Sequence, residues 1–205
     1  MREEAEMVKI VYLLGKSACG KDTICQRLLA DPALSLHKAV LYTTRPMRDG
    51  EKEGREYHFI TPAQAERLEK SGRVIEKRVY QTVFGPWTYL TVDDGQFAGD
   101  GCFLMEGTLE SYCSVRDYFG AEKVLPVYIE VEDGERLLRA IAREQTQAVP
   151  KYREMCRRFI ADDDDFSEEK LQAGGIEKRY ENQRLEDCLG EIRQAVLAFE
   201  NADRP

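Results

Sequence analysis

No two of the six cysteines form a C-x-x-C pair: Cys19, Cys25, Cys102, Cys113, Cys156 and Cys188 lie scattered along 205 residues. That scatter argues against a zinc site and against a disulfide framework, leaving reduced, mostly structural thiols as the expectation. Cys19 is set apart, because a thiol beside the amides of a helix N-terminus has its pKa depressed. No apolar run approaches the ~20 residues that a membrane span needs. An excess of positive charge is also missing: the formal net charge is −8 and the pI about 5.0. A nucleic-acid partner held by a general basic field is therefore not expected, and an anionic ligand would have to be held by local arginines. The opening MREEAEM has three glutamates and no apolar core before Val8, unlike a signal peptide; a cytoplasmic protein is expected. Repeats and low-complexity linkers are absent.

What is present describes one globular α/β core with insertions, since 33% of residues are charged and 42% hydrophobic and the length is short for two average domains. Residues 8-VKIVYLL-14 form a nearly continuous apolar run, the mark of a strand buried on both faces of a parallel sheet. A helix from about Gly20 to Ala30 follows, with Ile24, Leu28 and Leu29 on one face and Pro32 beyond its end. A short strand is expected at 39-AVLY-42. Residues 43–91 then change character: Pro46, Gly50 and Gly54 punctuate a polar stretch, a helix at 62-PAQAERLEKSG-72 starts on Pro and ends on Gly, and 74-VIEKRVY-80 and 87-WTYLTV-92 read as strands. These residues are expected to be an inserted α/β subdomain. The parallel pattern resumes at 102-CFLM-105 and 124-VLPVYIEV-131, with a helix around 108–119 between them. Helices follow at 135-ERLLRAIAREQ-145, cationic on one side, at 153-REMCRRFIA-161, and at about 184–200. The run 162-DDDD-165 is expected to be a solvated charge block.

Two stretches carry chemistry. In 15-GKSACGKDT-23 the glycines and Lys21 meet the G-x-x-x-x-G-K pattern between a buried strand and a helix start, the context in which successive backbone N–H groups and the helix dipole face phosphates. Lys21 would reach the β and γ phosphates. In 43-TTRPMRDGEKEGREYHF-59, Arg45 and Arg48 stand three apart around Pro46, and guanidinium groups suit bidentate capture of a phosphate monoester. Tyr57 adds a hydroxyl donor.

With these two stretches, 75-IEK-77 and 84-FG-85 in order, most of the chain resembles the guanylate kinase family. The resemblance implies a P-loop NTPase core, a parallel sheet flanked by helices, made of residues 1–42, 92–134 and 162–205. It also implies an inserted NMP-binding subdomain at 43–91 and a helical lid at 135–161. Its implied reaction is ATP-dependent phosphoryl transfer to GMP or dGMP, with Mg²⁺; the alternatives are a kinase of another nucleoside monophosphate or a binding module of the same fold. ATP would lie on Gly15, Ser17, Ala18, Cys19, Gly20, Lys21, Asp22 and Thr23, with Asn182 near its adenine. Arg45, Arg48 and Tyr57 would hold the acceptor phosphate, with Phe84 and Glu106 also in the acceptor site. Glu76 would accept the two N–H donors on guanine's Watson–Crick edge, which suits an acceptor-only carboxylate and is wrong for adenine. Arg139, Arg143 and Arg158 would close over the phosphates; with Lys21 and Arg45 they are the candidate catalytic groups.

The chain departs from the family pattern at four places: Asp22 replaces the P-loop Ser/Thr, Leu41 a serine, Phe84 a tyrosine, and 104-LMEGT-108 keeps only Glu106 of an acidic pair. An unshielded carboxylate about 4 Å from a phosphate charge costs roughly 4 kcal/mol at an effective dielectric near 20, whereas a metal between them reverses the sign. Asp22 and Glu106 are therefore the candidate Mg²⁺ residues. Small-molecule nucleotides are the expected partners, with no nucleic acid and no membrane.

Overall fold

The computed structural model describes residues 8–48, 50–82, 85–98 and 101–202. Strand β1 (Lys9–Leu14) is central in a five-stranded parallel sheet of order β2-β7-β1-β8-β9. Its partners are β2 (Leu36–Lys38), β7 (Cys102–Gly107), β8 (Val124–Glu130) and β9 (Arg179–Glu181). Alternation along β1 sends Ile10, Tyr12 and Leu14 into one core cluster and Val11 and Leu13 into another. This is why the sequence reads as an unbroken apolar run: side chains alternate, and both faces are covered.

One face is covered by α1 (Lys21–Leu29) through Ile24, Cys25 and Leu28, and by α7 (Leu185–Asn201) through Cys188, Ile192 and Val196. On the other face lies α3 (Leu109–Phe119), opened by a reciprocal Thr108–Ser111 capping box, together with Phe166, Leu171 and Ile176.

A second, four-stranded sheet has the order β4-β3-β6-β5, from β3 (Leu41–Thr43), β4 (Tyr57–Phe59), β5 (Val74–Thr82) and β6 (Gly85–Val92). Helix α2 (Pro62–Lys70), capped by Thr61 and Gln64, packs Ala65 and Leu68 onto Leu90 and Val92. The single strand expected at 39–42 is corrected here. The chain leaves the parallel sheet after Lys38 and enters the second sheet at Leu41, so the insertion begins two residues before Thr43.

Helices α4 (Asp133–Gln145) and α5 (Tyr152–Asp165) form an antiparallel pair at the carboxyl ends of the core strands. A short α6 (Glu168–Ala173) follows. Among the described residues no helix is long and apolar enough to cross a membrane.

Candidate active site

The turn from β1 into α1 is built around left-handed backbone. Ala18 has φ 62° and Gly20 has φ 89°. A Cβ on Gly20 would lie 2.5 Å from the Asn182 amide nitrogen, and one on Gly15 would lie 2.5 Å from the Ile129 carbonyl oxygen. Glycine is required at both places by close approach, not by freedom alone. The first N–H groups of α1 lack intrahelical acceptors. That of Lys21 meets the Cys19 sulfur, while Asp22 and Thr23 stand on the wall of a cavity of about 460 Å³.

That cavity is lined by the whole turn from Ser17 to Thr23 and by Arg139, Arg143 and Arg158. Lys21 and three arginines 118 to 137 positions further along the chain thus converge with a helix N-terminus on one space, where negative charge is favoured. Arg139 is braced by Glu135 at 2.9 Å and by the Asn182 carbonyl at 3.0 Å; Arg158 is braced by Glu154 at 3.0 Å; Arg143 is exposed at the wall.

Three residues sit differently from expectation. Asn182 is only 3% exposed, and its amide donates to the Cys19 carbonyl at 2.8 Å. It holds the loop from beneath and presents no side chain to the cavity. Cys19 is buried, and burial pushes its thiol up, outweighing Lys21 and the Lys21 N–H; the depressed thiol expected from helix position is corrected. Asp162 is the third, because it is not solvated. Its carboxylate accepts from the Ser17 N–H at 2.8 Å and from Arg136 at 3.1 Å. Arg136 is 0% exposed and also donates to the Ser17 carbonyl at 3.0 Å and to Asp133, with its guanidinium 4.5 Å from the Phe159 ring centre. Lys16 pairs with Asp163 at 2.8 Å. The turn is therefore tied to both α4 and α5 by buried charge.

In the insertion, Arg45 is buried and stacks beside Tyr57 and Phe59, with its guanidinium 5.4 and 5.5 Å from the ring centres. Its fork closes on Glu51 at 2.8 and 2.9 Å, and the Arg48 N–H donates to the same carboxylate at 2.7 Å, while the Arg48 side chain is exposed. These bonds hold the Glu51 carboxyl down at about 2. Burial raises the Tyr57 phenol; Tyr89 and Glu106 add to the rise, and Arg45 and Arg78 oppose it. Insertion and core therefore share one electrostatic neighbourhood. Glu76 is buried and accepts from Arg78 Nε and Nη2 at 3.1 Å each and from the Thr91 hydroxyl at 2.8 Å. Phe84 lies outside the described residues.

Glu106 is the penultimate residue of β7, with its Oε2 buried and without a hydrogen-bond partner among the described residues. Burial raises its carboxyl, the Asp22 charge adds to this, and Lys21 and Lys38 oppose it. Asp22 is 84% exposed in its side chain, and Lys21, at 4.0 Å, is its only ion-pair partner among the described residues. These two carboxylates fit a magnesium ion in kind: it takes oxygen ligands, commonly one or two carboxylates with phosphates and waters rather than an all-protein cage. No cluster of three metal-ligating side chains occurs among the described residues.

Sequence reasoning missed Arg78, Arg136, Asp162 and Glu51. Two signals were legible in retrospect: Glu76 and Arg78 share a strand face at i and i+2, and Arg136 lies one helical turn from Asp133.

Comparison with known proteins agrees with this geometry. A family model described as guanylate kinase matches residues 7–169. The guanylate kinase of Porphyromonas gingivalis is 24% identical over 196 residues, covering 94% of this chain and 98% of its own. That of Schizosaccharomyces pombe is 28% identical over 156 residues, covering 75% and 76%. The crystal structure of guanylate kinase from Anaplasma phagocytophilum shares the fold, with a TM-score of 0.66 at 20% identity over 95% of this chain and 87% of that one. With its turn, its buried β1 and its inserted sheet, the chain belongs to the guanylate kinase family.

Proposed function

We propose that the protein transfers the γ-phosphoryl group of ATP to GMP or dGMP, giving ADP and GDP or dGDP. The observation that carries this reading is the single cavity shared by the turn Ser17–Thr23, Lys21 and the three arginines Arg139, Arg143 and Arg158. Phosphoryl transfer needs little covalent chemistry from a protein; it needs positioning and stabilisation of charge spread over the transferred group.

The chain's own residues divide these tasks. The N–H groups at the start of α1 and Lys21 receive the ATP phosphates, and Asn182 fixes the turn that presents them. Arg45, Arg48 and Tyr57 receive the acceptor phosphate; Arg45 must exchange its Glu51 fork for the phosphate oxygens when the acceptor binds. Glu76 reads the acceptor base. Arg139, Arg143 and Arg158 neutralise the transferring group and exclude water from it as the α4–α5 lid closes. Asp22 and Glu106 would hold Mg²⁺, which when bound would supply charge neutralisation to the phosphates.

The test is a coupled assay with ATP, Mg²⁺ and a panel of nucleoside monophosphates. Turnover of GMP or dGMP is the expected result, and a panel with no guanine nucleotide turned over sinks the proposal.

A further inference from the structure

Ser17 stands at the start of the phosphate-binding turn, and each of its polar groups is taken up by the α4–α5 pair. Its N–H donates to Asp162 Oδ2 at 2.8 Å and its hydroxyl to Oδ1 at 3.3 Å, while its carbonyl accepts from Arg136 Nη1 at 3.0 Å. The same Nη1 donates to Asp162 Oδ2 at 3.1 Å. One buried ion pair therefore holds a single residue of the turn by both its N–H and its carbonyl.

The residue that follows needs holding. Lys16 to Cys19 form a tight turn, closed by the Cys19 N–H on the Lys16 carbonyl at 3.2 Å, and Ala18 at its third position has φ 62°. Left-handed backbone is unfavourable for a residue with a Cβ and persists only where its surroundings over-determine it. Here Asp162 and Arg136 fix Ser17 on one side of Ala18, and the Asn182 amide fixes the Cys19 carbonyl on the other. The clamp is also the root of the helices that carry the cavity arginines. Arg139 and Arg143 follow Arg136 by three and seven residues on α4, and Arg158 precedes Asp162 by four on α5. These spacings put the arginines on the same helical faces as the clamp.

We propose that Asp162 is a positioning residue for ATP: with Arg136 it holds Ser17 so that Ala18 stays left-handed and the turn, Lys21 and the three arginines stay aimed into one cavity. This rests on the reading of that cavity as the ATP phosphate site. Asp162 acts through Ser17 and touches no substrate. Its charge works against its position, because a carboxylate bonded to the cavity wall repels an anion there. Removing Asp162 therefore separates the two effects by sign. Loss of charge alone tightens ATP binding, whereas loss of positioning weakens it.

The experiment measures ATP and GMP affinities by calorimetry in the full chain, in Asp162→Ala and Asp162→Asn, and in Ala18→Gly with and without Asp162→Ala, each well below its thermal midpoint. Asp162→Ala is expected to weaken ATP about tenfold while GMP stays within about twofold. Asp162→Asn keeps the volume and an acceptor for the Ser17 N–H, and weakens ATP in the same direction by less. In Ala18→Gly, where left-handed backbone carries no Cβ penalty, the cost of Asp162→Ala is expected to shrink to about threefold or less. ATP binding that tightens or stays unchanged in Asp162→Ala overturns the proposal. So does a weakening that GMP shares equally, the mark of a general loss of structure, or one of undiminished size in Ala18→Gly. Should Asp162→Ala not fold, the sign is read from Asp162→Asn. If the unaltered chain binds ATP but phosphorylates no nucleoside monophosphate, the kinase reading fails alone and the affinities still decide; if it binds no ATP, both fail.

Discussion

The two halves of the site meet charge in opposite ways. Around the turn, Lys21, Arg139, Arg143 and Arg158 look into open space, with Arg139 braced by Glu135 and the Asn182 carbonyl and Arg158 by Glu154 at their flanks. In the insertion, Arg45 closes on Glu51 and Arg78 on Glu76, each as a buried or half-buried fork. A phosphate entering the first half meets cations whose carboxylate partners stand at exposed flanks; one entering the second must displace a carboxylate from a buried or half-buried fork. The donor half is therefore organised by backbone geometry, which a ligand cannot easily disturb, and the acceptor half by side-chain pairs, which it must rearrange.

The largest effect is expected where that open charge is removed. Lys21→Ala should lower kcat by ~100-fold or more, the magnitude typical of deleting one preorganised charge-stabilising group. Steady-state kinetics on a variant with unchanged thermal midpoint reads this cleanly, since the Lys21 side chain is 21% exposed and faces the cavity. The brace behind the open half is the next target. Arg136→Ala removes a fully buried guanidinium from Asp162, Asp133 and the Ser17 carbonyl, and should cost about 3 kcal/mol in a urea unfolding curve. The exposed Arg157–Glu154 pair is its control, and Arg157→Ala should cost less than about 1 kcal/mol. Equal costs would mean that the turn is not tied down by buried charge.

The same contrast explains what the sequence revealed. A buried strand, a glycine pair and a lysine define the turn through local rules, so the turn was legible from residues alone, whereas the cavity arginines, spread over α4 and α5, were expected only from the resemblance to the family. The closed half depends on pairs made in three dimensions. Whether Arg78 faces Glu76 or solvent is settled by the pairing of β5 with β6, and whether Asp162 is solvated is settled by where α5 ends relative to the turn. A run of four aspartates gives no local sign that its first member is buried. The strand expected at 39–42 failed for a related reason, since Leu36–Lys38 and Leu41–Thr43 are both short and extended, and only the partner strand separates them into two sheets.

Acid should weaken the closed half selectively. The Glu51 carboxyl stands at about 2 in the folded chain against an ordinary 4.5. Its stabilisation is complete above about pH 4.5 and is lost as pH falls toward 2, because the folded state then has to take up a proton that Arg45 disfavours. Glu51→Gln should flatten that part of the stability profile relative to the unaltered chain while lowering stability at neutral pH. Thermal unfolding at several pH values between 5 and 2.5 checks this, and parallel profiles would show that the Arg45 fork contributes no acid sensitivity.

The smallest expected effect falls on Asp22, the residue that joins the open half to the metal. The structure gives it no capping role, since the N-terminus of α1 has no side-chain cap and the Asp22 side chain is 84% exposed. Exposure also means that most of its attraction for a cation acts through water, about 1 kcal/mol per unit charge at 4 Å. Asp22→Ala should accordingly raise the Mg²⁺ concentration for half-maximal rate by ~fivefold, with Asp22→Ser recovering part of the difference through its shorter oxygen ligand. Magnesium dependence identical in all three proteins would leave Asp22 as an acid that only complements the helix dipole. The metal would then rest on Glu106 and the phosphates, with the orphaned Oε2 of Glu106 as its carboxylate ligand among the described residues.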